Sequence, residues 1–143
     1  MTKPLTDTTR AIMNERFSHD TCIALATVTE NGEPRVRTVN ALYIDGSFYV
    51  ITNAASSKMQ QIRHNPAVAI SGDWFTAHGV GENCGHILKA ENEALAARLR
   101  AAFASWYANG HTNEADPNTI ILRIHLTGGV LADHGTWHEI DFS

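Results

Sequence analysis

Only two of the 143 residues are cysteine, Cys22 and Cys84, and they stand too far apart in sequence to form a short metal-binding or redox motif. Both are expected as buried free thiols, since cysteine is a small core residue by habit. Basic charge is scarce as well, with 11 Lys and Arg against 15 Asp and Glu and a formal charge of -4. No general field therefore draws nucleic acid to the surface. Long apolar runs are missing, which argues against a bilayer-spanning segment. The polar start, with Lys3, Asp7 and Arg10, lacks the apolar stretch of a secretory leader, so the expected location is the cytoplasm, with neither nucleic acid nor membrane as partner. Internal repeats, linkers and low-complexity tracts are absent too. What remains is 43% hydrophobic and 18% charged residues, the composition of a globular protein. The length fits one domain over residues 1–143 that buries a core without disulfides or structural metal.

Local patterns predict a mainly β chain of the α+β kind. Thr6 to Phe17, free of Pro and Gly and carrying Ile12, Met13 and Phe17, predicts a short helix. Strands are expected over Cys22 to Thr29, Arg35 to Ile44 and Ser47 to Thr52, separated by turns at Glu30-Asn31-Gly32 and Asp45-Gly46. A second helix is expected over Lys58 to His64, opened by Ser56 and Ser57 and closed by Asn65 and Pro66. Ala67 to Ser71 reads as a fourth strand and Gly79 to Ala90 as an irregular fifth. Leu95, Leu99, Ala102, Phe103 and Trp106 recur at helical spacing and predict the longest helix, Glu91 to Tyr107. Late β segments are expected at Ile120 to Leu126, Val130 to Ala132 and Trp137 to Phe142. The sum is a six- or seven-stranded antiparallel sheet with three marginal helices, and curling into a barrel removes its bare edges.

The stretch Thr52 to Lys58 joins a strand to a helix start, where free N–H groups, hydroxyls and a lysine favour an anion such as phosphate. Arg37 lies on the preceding strand, from which a guanidinium can fork onto the same phosphate. Taken singly, Ser56-Ser57-Lys58 before a helix is usually just a cap with a solvated lysine, and Arg37 is more often a surface strand residue.

Gly32, Pro34 and Arg37, then Phe48 to Thr52 with Ser56, Ser57 and Lys58, then Ile62, Asn65 and Pro66, then Val68 and Trp74 resemble the pyridoxamine phosphate oxidase family. The likeness is best over residues 20–75. It implies an FMN-binding split β-barrel working as a homodimer, with Arg37 on the FMN phosphate and Thr38 and Val39 on the ring edge. Ile51, Thr52, Ser57 and Lys58 match the family's cofactor-contacting segment, Lys58 as the second phosphate cation. Ser57 stands where the family often has arginine, so the resemblance implies looser FMN binding unless Arg35 or a partner residue compensates. A family glutamine has no counterpart near His78 and Gly79, and the C-terminal arginine and histidine that serve pyridoxal phosphate are missing. Pyridoxamine phosphate oxidase activity proper is therefore not expected.

The implied function is an FMN-dependent oxidoreductase acting on a small substrate at the dimer interface. No Ser/His/Asp or paired-carboxylate spacing stands out, and none is required where the flavin carries the redox chemistry. The alternatives are a non-catalytic flavin carrier or sensor, and a haem-binding relative using the His134 to His138 tail as axial ligand. The eight histidines show no tight ligand grouping, so no metal site is expected. Trp74, Trp106 and Trp137 are expected as core or interface anchors, Trp106 toward the partner subunit.

Overall fold

The computed structural model describes residues 2–110 and 112–143. Among these residues the elements run β1 (Lys3–Pro4), α1 (Asp7–Phe17), β2 (Thr21–Val28), β3 (Pro34–Ile44), β4 (Ser47–Asn53), α2 (Ser57–His64) and β5 (Ala67–Gly72). They continue with β6 (Phe75–His86), α3 (Glu93–Ala102), α4 (Ala104–Tyr107), β7 (Thr119–Asp133) and β8 (Thr136–Asp141). Six strands close into an antiparallel barrel in the order β2, β3, β4, β7, β6, β5. Strand β8 extends the sheet beside the end of β7, and β1 pairs with β8 in parallel.

The barrel is split where two strands part. Strand β3 accompanies β2 from Pro34 to Ala41, but meets β4 only at Leu42, Tyr43 and Ile44. Strand β4 stays with β7 as far as Asn53. Among the described residues, 34–41 of β3 thus keep one edge without a strand partner. Every second residue there turns both its N–H and its C=O to the open side.

Alternation along the strands fills the interior. Ile23, Leu25 and Thr27 of β2, Val39, Ala41 and Tyr43 of β3, and Phe48 and Val50 of β4 all point inward and are buried. Helix α1 is started by a capping box, in which Thr6 Oγ1 accepts from Thr9 N at 3.1 Å and Thr6 N donates to Thr9 Oγ1 at 2.9 Å. Its buried Met13 and Phe17 belong to the barrel core, and the Phe17 ring lies 5.4 Å from Phe48 and 5.6 Å from Phe75. A second cluster forms outside, where Ala96, Leu99 and Phe103 pack on Leu42, Ile87 and Ile121.

Another part of the outer face stays bare. Across β3, β2, β5 and β6 the register aligns Val36, Ala26, Ala69 and His78 in one row and Thr38, Ala24, Ser71 and Thr76 in the next. None of these side chains is ionisable apart from His78, and Val36 is 69% exposed.

Several expectations are corrected. The long helix is two helices broken at Phe103, where the chain turns so that the Trp106 ring stacks on Phe103 at 5.0 Å and its Nε1 donates to Asp20 at 2.8 Å. Strand β6 begins at Phe75, ahead of the predicted start, and is bulged between His78 and Gly79 and between Asn83 and His86. The two late segments are one strand, β7, which stays paired with β6 and β8 through Gly128 and Gly129; a Cβ at Gly128 would meet the His78 ring at 2.8 Å. Cys22 is exposed and Cys84 half-buried, so neither is a core thiol. Cys22 alternates with the inward residues of β2 and so faces out. Trp74 and Trp137 are 74% and 68% exposed and form no part of the core.

Candidate functional site

The inward row of β3 runs out of the apolar core at Val39 and continues to Arg37. There the guanidinium meets a polar rim. Nη1 donates to the Leu25 carbonyl at 3.2 Å and to Thr27 Oγ1 at 2.7 Å, while Nη2 donates to Gln61 Oε1 at 3.0 Å. Thr27 Oγ1 in turn donates to the same Gln61 oxygen at 2.5 Å. Gln61 comes from α2, whose buried Met59 and Ile62 anchor the helix in the core.

The start of α2 brings in the second cation. Asn53 Oδ1 accepts from Ala55 N at 2.8 Å to shape the turn, and Ser56 caps the helix by accepting from Met59 N at 3.4 Å. Ser57 and Lys58 follow as the first helical residues, whose N–H groups a helix leaves without an internal partner. Burial and then the Arg37 guanidinium lower the Lys58 ammonium below the ordinary lysine value. Burial also lowers Arg37. Among the described residues neither cation forms an ion pair with a carboxylate. Two partly desolvated like charges without a counter-ion are an unfavourable arrangement that an incoming anion relieves.

The structure therefore brings Arg37 and Lys58 together and places Ser57, exposed, on the same helix start. Val39 is buried beside Arg37 on the inward side, whereas Thr38 is exposed on the opposite face. Both lie in the unpaired stretch of β3, where one of two consecutive residues turns its backbone N–H and C=O to the open side. Ile51 packs toward the outer cluster with Tyr49, and half-buried Thr52 alternates to the other side. Arg35 lies 3.8 Å from Glu33 on the exposed surface. Thr27 and Gln61 are site residues that sequence reasoning missed. Buried Thr27 is visible only as a polar break in the apolar row of β2, and Gln61 carries no signal of its own. His134 sits on the β7–β8 turn and contacts Asp133 at 3.1 Å.

A cavity of about 340 Å³ borders α2 on another flank, lined by Met59, Gln60, Ile62, Arg63 and Gly81 but not by Arg37 or Lys58. Among the described residues no three His, Cys, Asp or Glu side chains gather as a metal cluster, and no helix is long and apolar enough to cross a membrane.

Comparison with known proteins agrees with this fold. The sequence model described as pyridoxamine 5'-phosphate oxidase matches residues 9–130. The chain therefore belongs to that family. A pyridoxine/pyridoxamine 5'-phosphate oxidase of Crocosphaera subtropica is 43% identical over 60 residues, which span 41% of this chain and 28% of that protein. Among solved structures, a heme binding protein from Mycobacterium smegmatis superposes with a TM-score of 0.65 at 17% identity, covering 87% of this chain and 54% of that one. A FAD-binding protein from Mesorhizobium loti gives 0.63 at 14% identity, with 89% and 94% covered. At these identities the structural likeness speaks for the fold alone.

Proposed function

We propose that the chain is an FMN-binding flavoprotein that works as an FMN-dependent oxidoreductase on a small substrate at a homodimer interface. The observation that carries this reading is the Arg37 and Lys58 pair, two neighbouring cations at the start of a helix that have no carboxylate partner among the described residues. A phosphate monoester, dianionic near neutral pH, answers both charges, and each charge-assisted hydrogen bond contributes about 1.5–3 kcal/mol. The N–H groups of Ser57 and Lys58 add donors.

A flavin extends from such a phosphate as a flat ring with polar edges. The open edge of β3 at Thr38 and Val39 supplies backbone donors and acceptors for one edge of the ring. Thr52 on β4 and Ile51 flank the split. When bound, the flavin supplies hydride or electron transfer. The chain's own work is to hold the phosphate, orient the ring against β3 and limit water at the split.

The homodimer reading is supported by the bare rows on β3, β2, β5 and β6. Ala24, Ala26 and Ala69 let a second sheet approach closely, and exposed Val36 and Val80 add apolar area, so a second copy of the same face is a fitting cover.

The test begins with the absorbance of the purified protein and identification of whatever heat releases. A flavin spectrum with FMN released supports the reading, and a Soret band replaces it with haem. Bleaching by NAD(P)H faster than for free FMN supports an enzyme, and bleaching no faster supports a flavin carrier or sensor.

A further inference from the structure

Arg37 has five N–H groups, and the chain itself occupies three of them. Both hydrogens of Nη1 are taken, by the Leu25 carbonyl and Thr27 Oγ1, and one hydrogen of Nη2 goes to Gln61 Oε1. The Thr27 and Gln61 oxygens are themselves joined at 2.5 Å, and Thr27 is only 1% exposed. This small closed network grips one end of a flexible side chain. Its remaining N–H groups are Nε–H and the second hydrogen of Nη2, and together they form the side edge of the guanidinium fork, the geometry that meets two oxygens of one phosphate.

We infer that Thr27 and Gln61 are positioning residues, which lock the guanidinium of Arg37 so that its Nε and Nη2 edge is presented ready-made to the phosphate of the bound cofactor. The inference rests on the flavin-phosphate reading and deepens it, because it assigns the preference for a phosphorylated flavin to two neutral side chains that need not touch the ligand. Order imposed before binding lowers the entropy lost on binding. The oxygens do this without neutralising the cation. A carboxylate at position 61 would hold the arginine equally well and cancel the charge that phosphate needs.

The network differs from ordinary core packing in its chemistry. Gln61 Oε1 accepts twice, from Thr27 and from Arg37, and the Thr27 hydroxyl both donates and accepts. Loss of either oxygen frees the guanidinium to rotate while leaving the apolar anchors of α2, Met59 and Ile62, in place.

The experiment compares FMN and riboflavin, which share the ring and differ by the phosphate, in titrations followed by flavin fluorescence. The proteins are the wild type, Thr27→Val, Gln61→Leu, Gln61→Glu and Thr27→Ser. Thr27→Val and Gln61→Leu are expected to bind FMN at least tenfold more weakly, with riboflavin affinity unchanged within about twofold. Thr27→Ser, which restores the hydroxyl, is expected to keep the wild-type preference, and Gln61→Glu to lose it. If Thr27→Val and Gln61→Leu retain the full preference for FMN, the positioning role is overturned. Equal weakening of both ligands overturns it too, in favour of a purely structural role. A wild type that holds riboflavin as tightly as FMN overturns the flavin-phosphate reading itself, and the inference with it.

Discussion

Arg37 stands close enough to Lys58 to depress the lysine ammonium, and neither has a carboxylate partner among the described residues. Like charges placed side by side and partly desolvated are expected to cost the unliganded chain some stability.

That cost yields a first prediction. Lys58→Met is expected to raise the stability of the flavin-free protein, by less than about 1 kcal/mol because solvent screens the half-exposed ammonium. The sign of the pH effect follows from a lowered folded pKa. The folded protein releases the Lys58 proton before the unfolded chain does, so stability rises as pH climbs through the lowered value toward the ordinary lysine value. Thermal melts at a series of pH values check this. A wild type minus Lys58→Met difference that is flat with pH would count against it.

A second prediction concerns the end of α4. Burial, and then the hydrogen bond to Glu114, push the Tyr107 hydroxyl up to about 12, and Arg100 holds Glu114 from the other side with Nε at 2.7 Å. A raised folded pKa stabilises fully below the ordinary tyrosine value near 10, and that contribution is lost as pH climbs through about 12. Tyr107→Phe is expected to remove about 1 kcal/mol at neutral pH after screening and to flatten the alkaline melt. Melts from pH 8 to 12 read both effects.

The barrel closure supplies a third. A Cβ at Gly79 would meet the His125 carbonyl oxygen at 2.2 Å, and backbone cannot swing away as a side-chain tip can. Gly79→Ala is expected to cost about 1–3 kcal/mol, the range for overpacking, measured by urea unfolding.

The bare sheet face gives a fourth. Ala69 lies exposed between Ala26 and His78 in the cross-strand row, so Ala69→Arg places a bulky charge at the centre of the proposed contact. Sedimentation is expected to show a dimer for the wild type and a monomer for Ala69→Arg, with the melting temperature of a folded chain retained.

Much of the barrel was legible because its local signals agree with its tertiary structure. Turns at Gly32 and Gly46 sit between runs of alternating apolar residues, and Ser56 announces α2. Arg37 and Lys58 were legible through a family resemblance and through the chemistry of a helix start. What was hidden depends on distant partners. Apolar spacing runs unbroken through Phe103 to Trp106, so the break there is visible only once Asp20, far away in sequence, accepts the indole N–H. Gly128 looks like a strand breaker until the His78 ring covers it. Thr27 and Gln61 belong to different elements and become a pair only when α2 packs on β2. For Trp74 and Trp137 residue type alone fits a core or an interface, and the structure leaves both outside the core.

Arg37 and Lys58 are proposed to hold one anionic group of the cofactor together. Titration of FMN into the wild type, Arg37→Ala and Lys58→Ala, with folding checked by circular dichroism, tests it most directly. Each variant is predicted to bind FMN at least tenfold more weakly, about 1.4 kcal/mol or more, while remaining folded. FMN affinity unchanged in both variants would contradict that joint role.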